Sequence, residues 1–247
     1  MGLTCTLFKW LFGLYLLSSY KTIPGAYFIR FYYAVLPPLV IPMIKGNKNT
    51  ENIKRLQSNE FAALSYNRYK TYASPMECDA YLHKNNATYF TELDISRGEL
   101  MAKVLQKLFL ESKNYPFVPV ANVFTNFLKE IKPFEPYTVS SSIICWDEKW
   151  IYVASRFMKK NNTVLCSFSL TKYVLKQGRK TITPKEAFEY CGIYNEKVEM
   201  ISQENYKILS ENSGFHDTTK LEQIKYDYML LHLSLIHISE HTRHSLI

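Results

Sequence analysis

The sequence predicts an α+β fold in which the apolar face of an antiparallel sheet is covered by one long helix, preceded by an N-terminal membrane segment. Apolar residues recur every three or four positions over residues 87–110, as in an amphipathic helix. After Pro116 they recur at every second position in several runs, as in half-buried strands. A sheet with an apolar face needs a cover, and the helix over 87–110 is the element placed to supply it.

Two apolar runs open the chain, residues 3–20 and 23–44, and their only charged residues are Lys9 and Arg30. Each run approaches the roughly 20 residues that cross a bilayer as a helix. We expect residues 1–45 to be a retained membrane anchor followed by an interfacial segment, because prolines in the second run would break a straight span. The alternative is that 23–44 forms a buried first helix of the folded domain.

Residues 46–60 are polar and charged without an apolar period, so they are interpreted as a linker, and the domain begins near Phe61. An alternating, tyrosine-rich run at 66–72 predicts the first strand. In the helical stretch that follows, Gly98 is expected to divide the helix into two, because glycine is unfavourable inside a helix.

Four strand-like runs follow the helix. They are residues 118–128, 138–146, 150–158 and 163–173. Short polar connections at 147–149 and 159–162 join the last three runs, which predicts two antiparallel hairpins. A helix over 183–193 is expected to be capped at Thr183 and to stop at Gly192.

The folded domain is therefore expected to cover 61–193, followed by a C-terminal extension over 194–232. Residues 233–247 have no helical or strand period and resemble the spurious translations of sequencing-adapter DNA, so they are treated as a non-native tail. Three histidines of this tail have spacings that could hold a metal on a helix, but we predict no metal site. They are His237, His241 and His244.

Charge and cysteine content narrow the function classes. The formal net charge is +8, but Lys and Arg do not concentrate in one segment of the folded part, which argues against nucleic-acid binding. The five cysteines include no CxxC pair, so we expect reduced thiols and no zinc. Basic residues after the first apolar run favour a cytosolic domain under the positive-inside rule.

The stretch ECDAYLHKNN, residues 77–86, lies between the first strand and the helix. Its polar residues and the aromatic residue after them are Asp79, His83, Asn85, Asn86 and Tyr89. This order resembles the hotdog-fold thioesterases of the 4-hydroxybenzoyl-CoA type. Residues 131–139 and 145–157 resemble paired strands of the thioesterase superfamily member six group, whose members are membrane-associated. The resemblance covers roughly residues 61–175.

The resemblance implies a hotdog fold, with an antiparallel sheet wrapped around a central helix, and a homodimer that joins edge to edge with sites at the subunit interface. It also implies a membrane-associated acyl-CoA thioesterase without a cofactor, which we expect at the endoplasmic reticulum. The alternative is a catalytically inactive hotdog module that binds acyl groups or a protein partner at the membrane.

Thioester hydrolysis needs a base or nucleophile beside the carbonyl carbon, and hydrogen-bond donors where charge grows on the oxygen. Asp79 is the predicted catalytic carboxylate, attacking directly or activating water, and His83 would hold the loop or donate to the substrate. Free N–H groups over residues 87–90 would polarise the thioester oxygen. The predicted substrate-binding residues, of which the first two are also candidate helix caps, are Asn85, Asn86, Tyr89 and Phe90.

Structural interpretations of the same residues stay open. Asp79 can be a turn-former that bonds its own backbone, and His83 can be a structural histidine. Cys78 is not expected to be a nucleophile, because one alternation along the chain should turn it away from the side that Asp79 faces. Leu82 stands where the resembled family has glycine, so it is expected to narrow or close the site.

Overall fold

The computed structural model describes residues 3–112, 114–212 and 218–231. The helices of these ranges are α1 (Leu3–Ser18), α2 (Ala26–Val35), α3 (Pro37–Ile44), α4 (Glu51–Gln57), α5 (Tyr89–Val104), α6 (Gln106–Glu111), α7 (Pro184–Cys191), α8 (Glu196–Glu211) and α9 (Thr219–Glu222). The predicted non-native tail and its three histidines lie outside the described residues.

The strands differ in length and form one sheet. They are β1 (Ser65–Tyr72), β2 (Pro116–Phe117), β3 (Val120–Phe127), β4 (Pro136–Trp146), β5 (Trp150–Lys159), β6 (Val164–Gln177), β7 (Lys180–Ile182) and β8 (Met229–Leu230). The order is β2-β6-β5-β4-β1-β8, with β3 and β7 also paired to β6. Both predicted hairpins, β4 with β5 and β5 with β6, are confirmed as antiparallel pairs. The α+β class is confirmed.

Helices cover both faces of the sheet. Successive side chains of a strand point to opposite sides, and here both sides carry apolar residues that need a cover. Val153 belongs to a core formed with α5, α6 and α7, whereas the next residue, Ala154, belongs to a core formed with α8 and α9. The sequence suggested that the central helix alone covers the sheet. The structure corrects this, because other helices cover the second face. The segment predicted as a C-terminal extension supplies α8 and α9 and buries Leu209 and Leu221 against the second face.

Gly98 does not break the central helix, which corrects the prediction. Helix α5 runs through it without interruption, and the break lies at Leu105, between α5 and α6. A Cβ atom at Gly98 would stand 2.9 Å from Phe31 Cε2 and 3.0 Å from Val35 Cγ2 of helix α2. Glycine is present because the crossing helix leaves no room for a side chain.

Residues 23–44 form α2 and α3, which lie against the domain. Arg30 pairs with Glu92 of α5 at 2.6 Å, and the Tyr27 hydroxyl donates to Asp94 Oδ2, also at 2.6 Å. The alternative interpretation, a first helix of the domain, matches these contacts. Within the described ranges no single helix is long and apolar enough to cross a bilayer, although α2 and α3, bent by 58° at their junction, meet that test as a pair.

The segment predicted as a linker, residues 46–60, contains helix α4, so the prediction was wrong for residues 51–57. Thr50 caps this helix by accepting a hydrogen bond from the Ile53 backbone N–H at 3.2 Å. Ile53 and Leu56 are buried. Two apolar residues three positions apart are too few to establish a helical period in a sequence.

The predicted caps of the helix after the sheet are confirmed. Thr183 and Glu186 form a reciprocal capping box at the start of α7. Gly192 ends the helix with a φ of 74°, a left-handed conformation that favours glycine.

Candidate active site

The stretch between β1 and α5 folds into a small closed loop over residues 78–84. Cys78 and Lys84 pair as an isolated antiparallel bridge. Inside the bridge the Asp79 N–H donates to the His83 carbonyl at 3.0 Å, and outside it the Asn85 N–H donates to the Glu77 carbonyl at 2.9 Å. The loop therefore has a stem, Glu77, Cys78 and Lys84, and a tip, residues 79–83.

The tip brings together the two predicted catalytic residues. His83 Nδ1 lies 3.6 Å from Asp79 Oδ1, and the two side chains are 31% and 25% exposed. Asp79 Oδ1 also accepts from the Tyr81 N–H at 3.0 Å, so Asp79 does form the turn that the structural interpretation expected. Its second oxygen, Oδ2, has no hydrogen bond within the part of the chain that the structure describes.

Leu82 does not plug the tip, contrary to the expectation drawn from its size. Its side chain is 72% exposed. Its φ is 57°, the left-handed region that glycine adopts without steric cost. The loop thus keeps the backbone turn that glycine would permit, and the leucine bears the strain.

The first-turn amides are mostly occupied, which corrects the prediction that they are free. The Ala87 N–H donates to Asn85 Oδ1 at 2.9 Å, and the Thr88 N–H donates to the Asn85 carbonyl at 2.9 Å. The Tyr89 N–H donates to the Asn86 carbonyl. Asn85 is thus the cap of the short 3₁₀ turn Asn86–Thr88 that leads into α5.

The predicted substrate-binding residues separate into exposed and buried groups. Asn86 and Phe90 are exposed, and Asn85 is partly exposed. Tyr89 is only 2% exposed and packs on Phe127 and Phe157, with ring centroids 5.0 and 4.8 Å away. Tyr89 is therefore a core residue of this chain rather than a substrate contact.

The stem rests on a buried ionic cluster that sequence reasoning missed. Its members are Lys21, Arg30, Glu77, Lys84 and Glu92. Glu77 accepts from Lys21 at 2.9 Å and lies 3.2 Å from Lys84 Nζ. Glu92 of α5 lies 2.9 Å from Lys21 and 2.6 Å from Arg30. The available signal was Arg30, a charged residue inside the apolar run 23–44, since buried charges need partners.

Burial and neighbouring charges set the protonation of the stem. Burial by itself would raise the pKa of Glu77, but the ammonium groups of Lys84 and Lys21 outweigh it and lower that pKa. Burial lowers the pKa of Lys84, and Glu77 partly opposes that shift. Glu77 is thus held as a carboxylate beneath the loop.

Neither the Cys78 thiol nor a metal cluster competes with the tip among the described residues. Burial raises the pKa of the Cys78 thiol, which makes it a poor thiolate, and its Sγ lies 3.5 Å from the Ser74 carbonyl. No group of three or more His, Cys, Asp or Glu side chains could hold a metal ion in the described ranges.

Residues 73–190 match the thioesterase-like superfamily. The chain is 66% identical over 224 residues to a probable thioesterase of Saccharomyces cerevisiae, covering 91% of this chain and 97% of that protein. A probable thioesterase of Emericella nidulans is 28% identical over 242 residues, covering 81% and 77%. The protein THEM6 of Drosophila melanogaster is 25% identical over 131 residues, covering 49% and 67%. The matched range of the superfamily includes the whole loop and the central helix.

Proposed function

Because this chain belongs to the thioesterase-like superfamily, as its match over residues 73–190 and its 66% identity to the Saccharomyces protein establish, we propose that it hydrolyses acyl thioesters such as acyl-CoA at the loop tip. The observation that carries the proposal is the pairing of Asp79 with His83 at 3.6 Å, in a partly exposed loop next to the start of the central helix.

Asp79 acts in this proposal as the general base. Its free Oδ2 takes a proton from a water molecule, and the water oxygen attacks the thioester carbonyl carbon. When the tetrahedral intermediate collapses, the carbon–sulfur bond breaks, and the leaving thiolate takes the proton back from Asp79. His83, whose Nδ1 lies 3.6 Å from Asp79 Oδ1, would donate to the substrate, and the exposed Phe90 of α5 would offer it an apolar surface.

A second candidate function, a module that binds acyl groups or a protein partner without hydrolysis, is favoured by one observation. The amides of Ala87, Thr88 and Tyr89 are already hydrogen-bonded, so few donors remain at the helix start to stabilise an oxyanion. In the hydrolytic proposal the missing donors come from His83 or from a second subunit.

We propose a homodimer that joins through β3. This strand pairs with β6 on one side, and its other edge has no strand partner among the described residues. An unpaired edge is a template for pairing with another chain. Tyr89 packs on Phe127 at the end of β3, so a second subunit at this edge would lie near the start of α5.

We also propose that α1–α3 hold the protein on a membrane, expected to be the endoplasmic reticulum with the domain on the cytosolic side. Large apolar side chains are exposed along these helices, and they include Phe8, Trp10, Leu17, Ile29 and Ile44. A surface of this kind is typical of helices that lie in the membrane interface.

The proposed function is tested by thiol release from the full chain in detergent or vesicles, against acyl-CoA substrates of increasing chain length. We expect release of free coenzyme A with a preference among chain lengths. Thermal protection by acyl-CoA with no thiol release would instead support the binding module. If acyl-CoA gives no thermal protection and no thiol is released, both hydrolysis and acyl binding are contradicted.

A further inference from the structure

The junction between α1 and α2 is inserted into the domain directly beside the loop stem. Residues 20–22 form a 3₁₀ turn there, and Lys21 is buried although its neighbours on both sides are exposed. The Tyr72 hydroxyl donates to the Ser18 carbonyl at 2.6 Å, and Ser74 Oγ donates to the same carbonyl at 3.2 Å. The N-terminal segment is therefore fixed to the end of β1, seven positions before the loop tip begins.

Lys21 joins two ion pairs that are complete without it. Glu77 of the stem already faces Lys84 at 3.2 Å, and Glu92 of the central helix already faces Arg30 at 2.6 Å. Lys21 Nζ lies 2.9 Å from a carboxylate oxygen of each glutamate and donates to the Tyr72 carbonyl at 2.7 Å. Lys21 thus forms ion pairs with both the loop stem and the central helix.

Charge balance does not explain why Lys21 is there. The cluster holds three cations and two carboxylates, and without Lys21 it would hold two of each. Burying an additional charge is unfavourable unless its hydrogen bonds and geometry offset the loss of hydration. The three polar contacts of Lys21 reach the end of β1, the stem and α5, which is the arrangement expected of a residue that sets their relative positions.

We propose that Lys21 is a positioning residue of the hydrolytic site, supplied by the N-terminal segment. It bridges Glu77 and Glu92, and so it fixes the loop that presents Asp79 and His83 relative to the start of α5. The inference rests on the proposed function and extends it, because the site is then completed only when the junction of α1 and α2 is docked on the domain. The helices with the exposed apolar surface and the turn that orders the loop are one continuous segment.

The test uses the full chain with Lys21→Met, which retains much of the length and apolar stem of lysine and leaves two balanced ion pairs. The matched control is Lys197→Met, since Lys197 forms an exposed ion pair with Glu60 at 2.8 Å on another part of the surface. Two quantities are measured in each variant: amide hydrogen exchange over residues 79–85, and kcat and KM for acyl-CoA.

We expect Lys21→Met to accelerate exchange about tenfold or more at the amides of Asp79, Leu82 and Asn85, with exchange in β4 and β5 unchanged. Since a misplaced catalytic group can lower turnover by about 100-fold, kcat should fall by about 10- to 100-fold with little change in KM. Lys197→Met should change neither quantity. If Lys21→Met fails to fold, Lys21→Gln, whose amide can still donate to the Tyr72 carbonyl, replaces it.

Three results would overturn the inference. Unchanged exchange over the loop would show that Lys21 does not hold it. Exchange accelerated equally in β4 and β5 would reveal a general loss of stability. Faster loop exchange with unchanged kcat would show that fixing the loop does not affect turnover. If the unaltered chain releases no thiol, the proposed function fails, while the exchange measurement still decides whether Lys21 fixes the loop.

Discussion

The tip and the stem of one short loop differ in almost every physical property. At the tip, Asp79 and His83 are partly exposed and lie 3.6 Å apart, beyond hydrogen-bonding distance. At the stem, Glu77 and Lys84 are buried and their charges face each other at 3.2 Å. The comparison teaches that the residues able to meet a substrate depend for their position on residues that never meet it. Variants of the stem should affect stability, and variants of Asp79 and His83 at the tip should affect turnover.

The largest change in stability is expected from Glu77→Gln. This substitution leaves Lys84 fully buried without its carboxylate, and breaking a buried ion pair in this way costs about 3–5 kcal/mol. Urea unfolding of the full chain measures the difference. The control is Glu60→Gln, whose ion pair with Lys197 is exposed and should contribute less than about 1 kcal/mol. Equal effects of the two substitutions would contradict the distinction between stem and surface.

The contribution of Glu77 should depend on pH. Since Lys84 and Lys21 lower its pKa in the folded protein despite burial, the folded state favours the carboxylate more than the unfolded chain does. This stabilisation is fully present above the unfolded pKa and is lost as the pH falls through the folded pKa. The gap in unfolding free energy between the unaltered chain and Glu77→Gln should therefore narrow in acid. A gap that is constant from neutral pH to well below the glutamate range would contradict the assignment.

Leu82→Gly at the tip is expected to raise the free energy of unfolding, an effect smaller than that of Glu77→Gln and of opposite sign. The left-handed φ of 57° strains leucine, and relief of that strain should outweigh the added freedom of the unfolded chain by about 0.5–1 kcal/mol. Turnover should stay nearly unchanged because the side chain is exposed and does not block the tip. The control is Leu128→Gly. Leu128 is exposed and has no positive φ, so this substitution should destabilise the protein in the same unfolding experiment. A large rise in turnover for Leu82→Gly would restore the interpretation of leucine as a plug.

The fold was predictable where its signals are local. The strand period, the hairpin connections and the caps at Thr183 and Gly192 depend on neighbouring residues, and each was confirmed. Helix α4 was missed because only Ile53 and Leu56 mark its buried side. Gly98 was misinterpreted because its role, contact with Phe31, depends on a helix 67 residues earlier in the chain.

The candidate site was predictable only at its tip. Asp79 and His83 stand out because their spacing matches a motif and the turn that joins them is local. Glu77 and Lys84 lie in the same ten-residue stretch, but no spacing rule says that residues seven apart in a loop will meet. Lys21 and Arg30 were interpreted only as basic residues that follow the first apolar run, because their partners lie 56 to 71 positions away and become neighbours only when the chain folds.

The most direct test of the central claim, that the Asp79 carboxylate performs the hydrolysis on a loop held from below, is thiol release from acyl-CoA by Asp79→Asn. Asparagine can still accept the hydrogen bond from the Tyr81 N–H, so the turn should survive and unfolding should be nearly unchanged. Loss of the base should lower kcat by about 10²- to 10⁴-fold. A folded Asp79→Asn protein that retains the turnover of the unaltered chain would contradict the account.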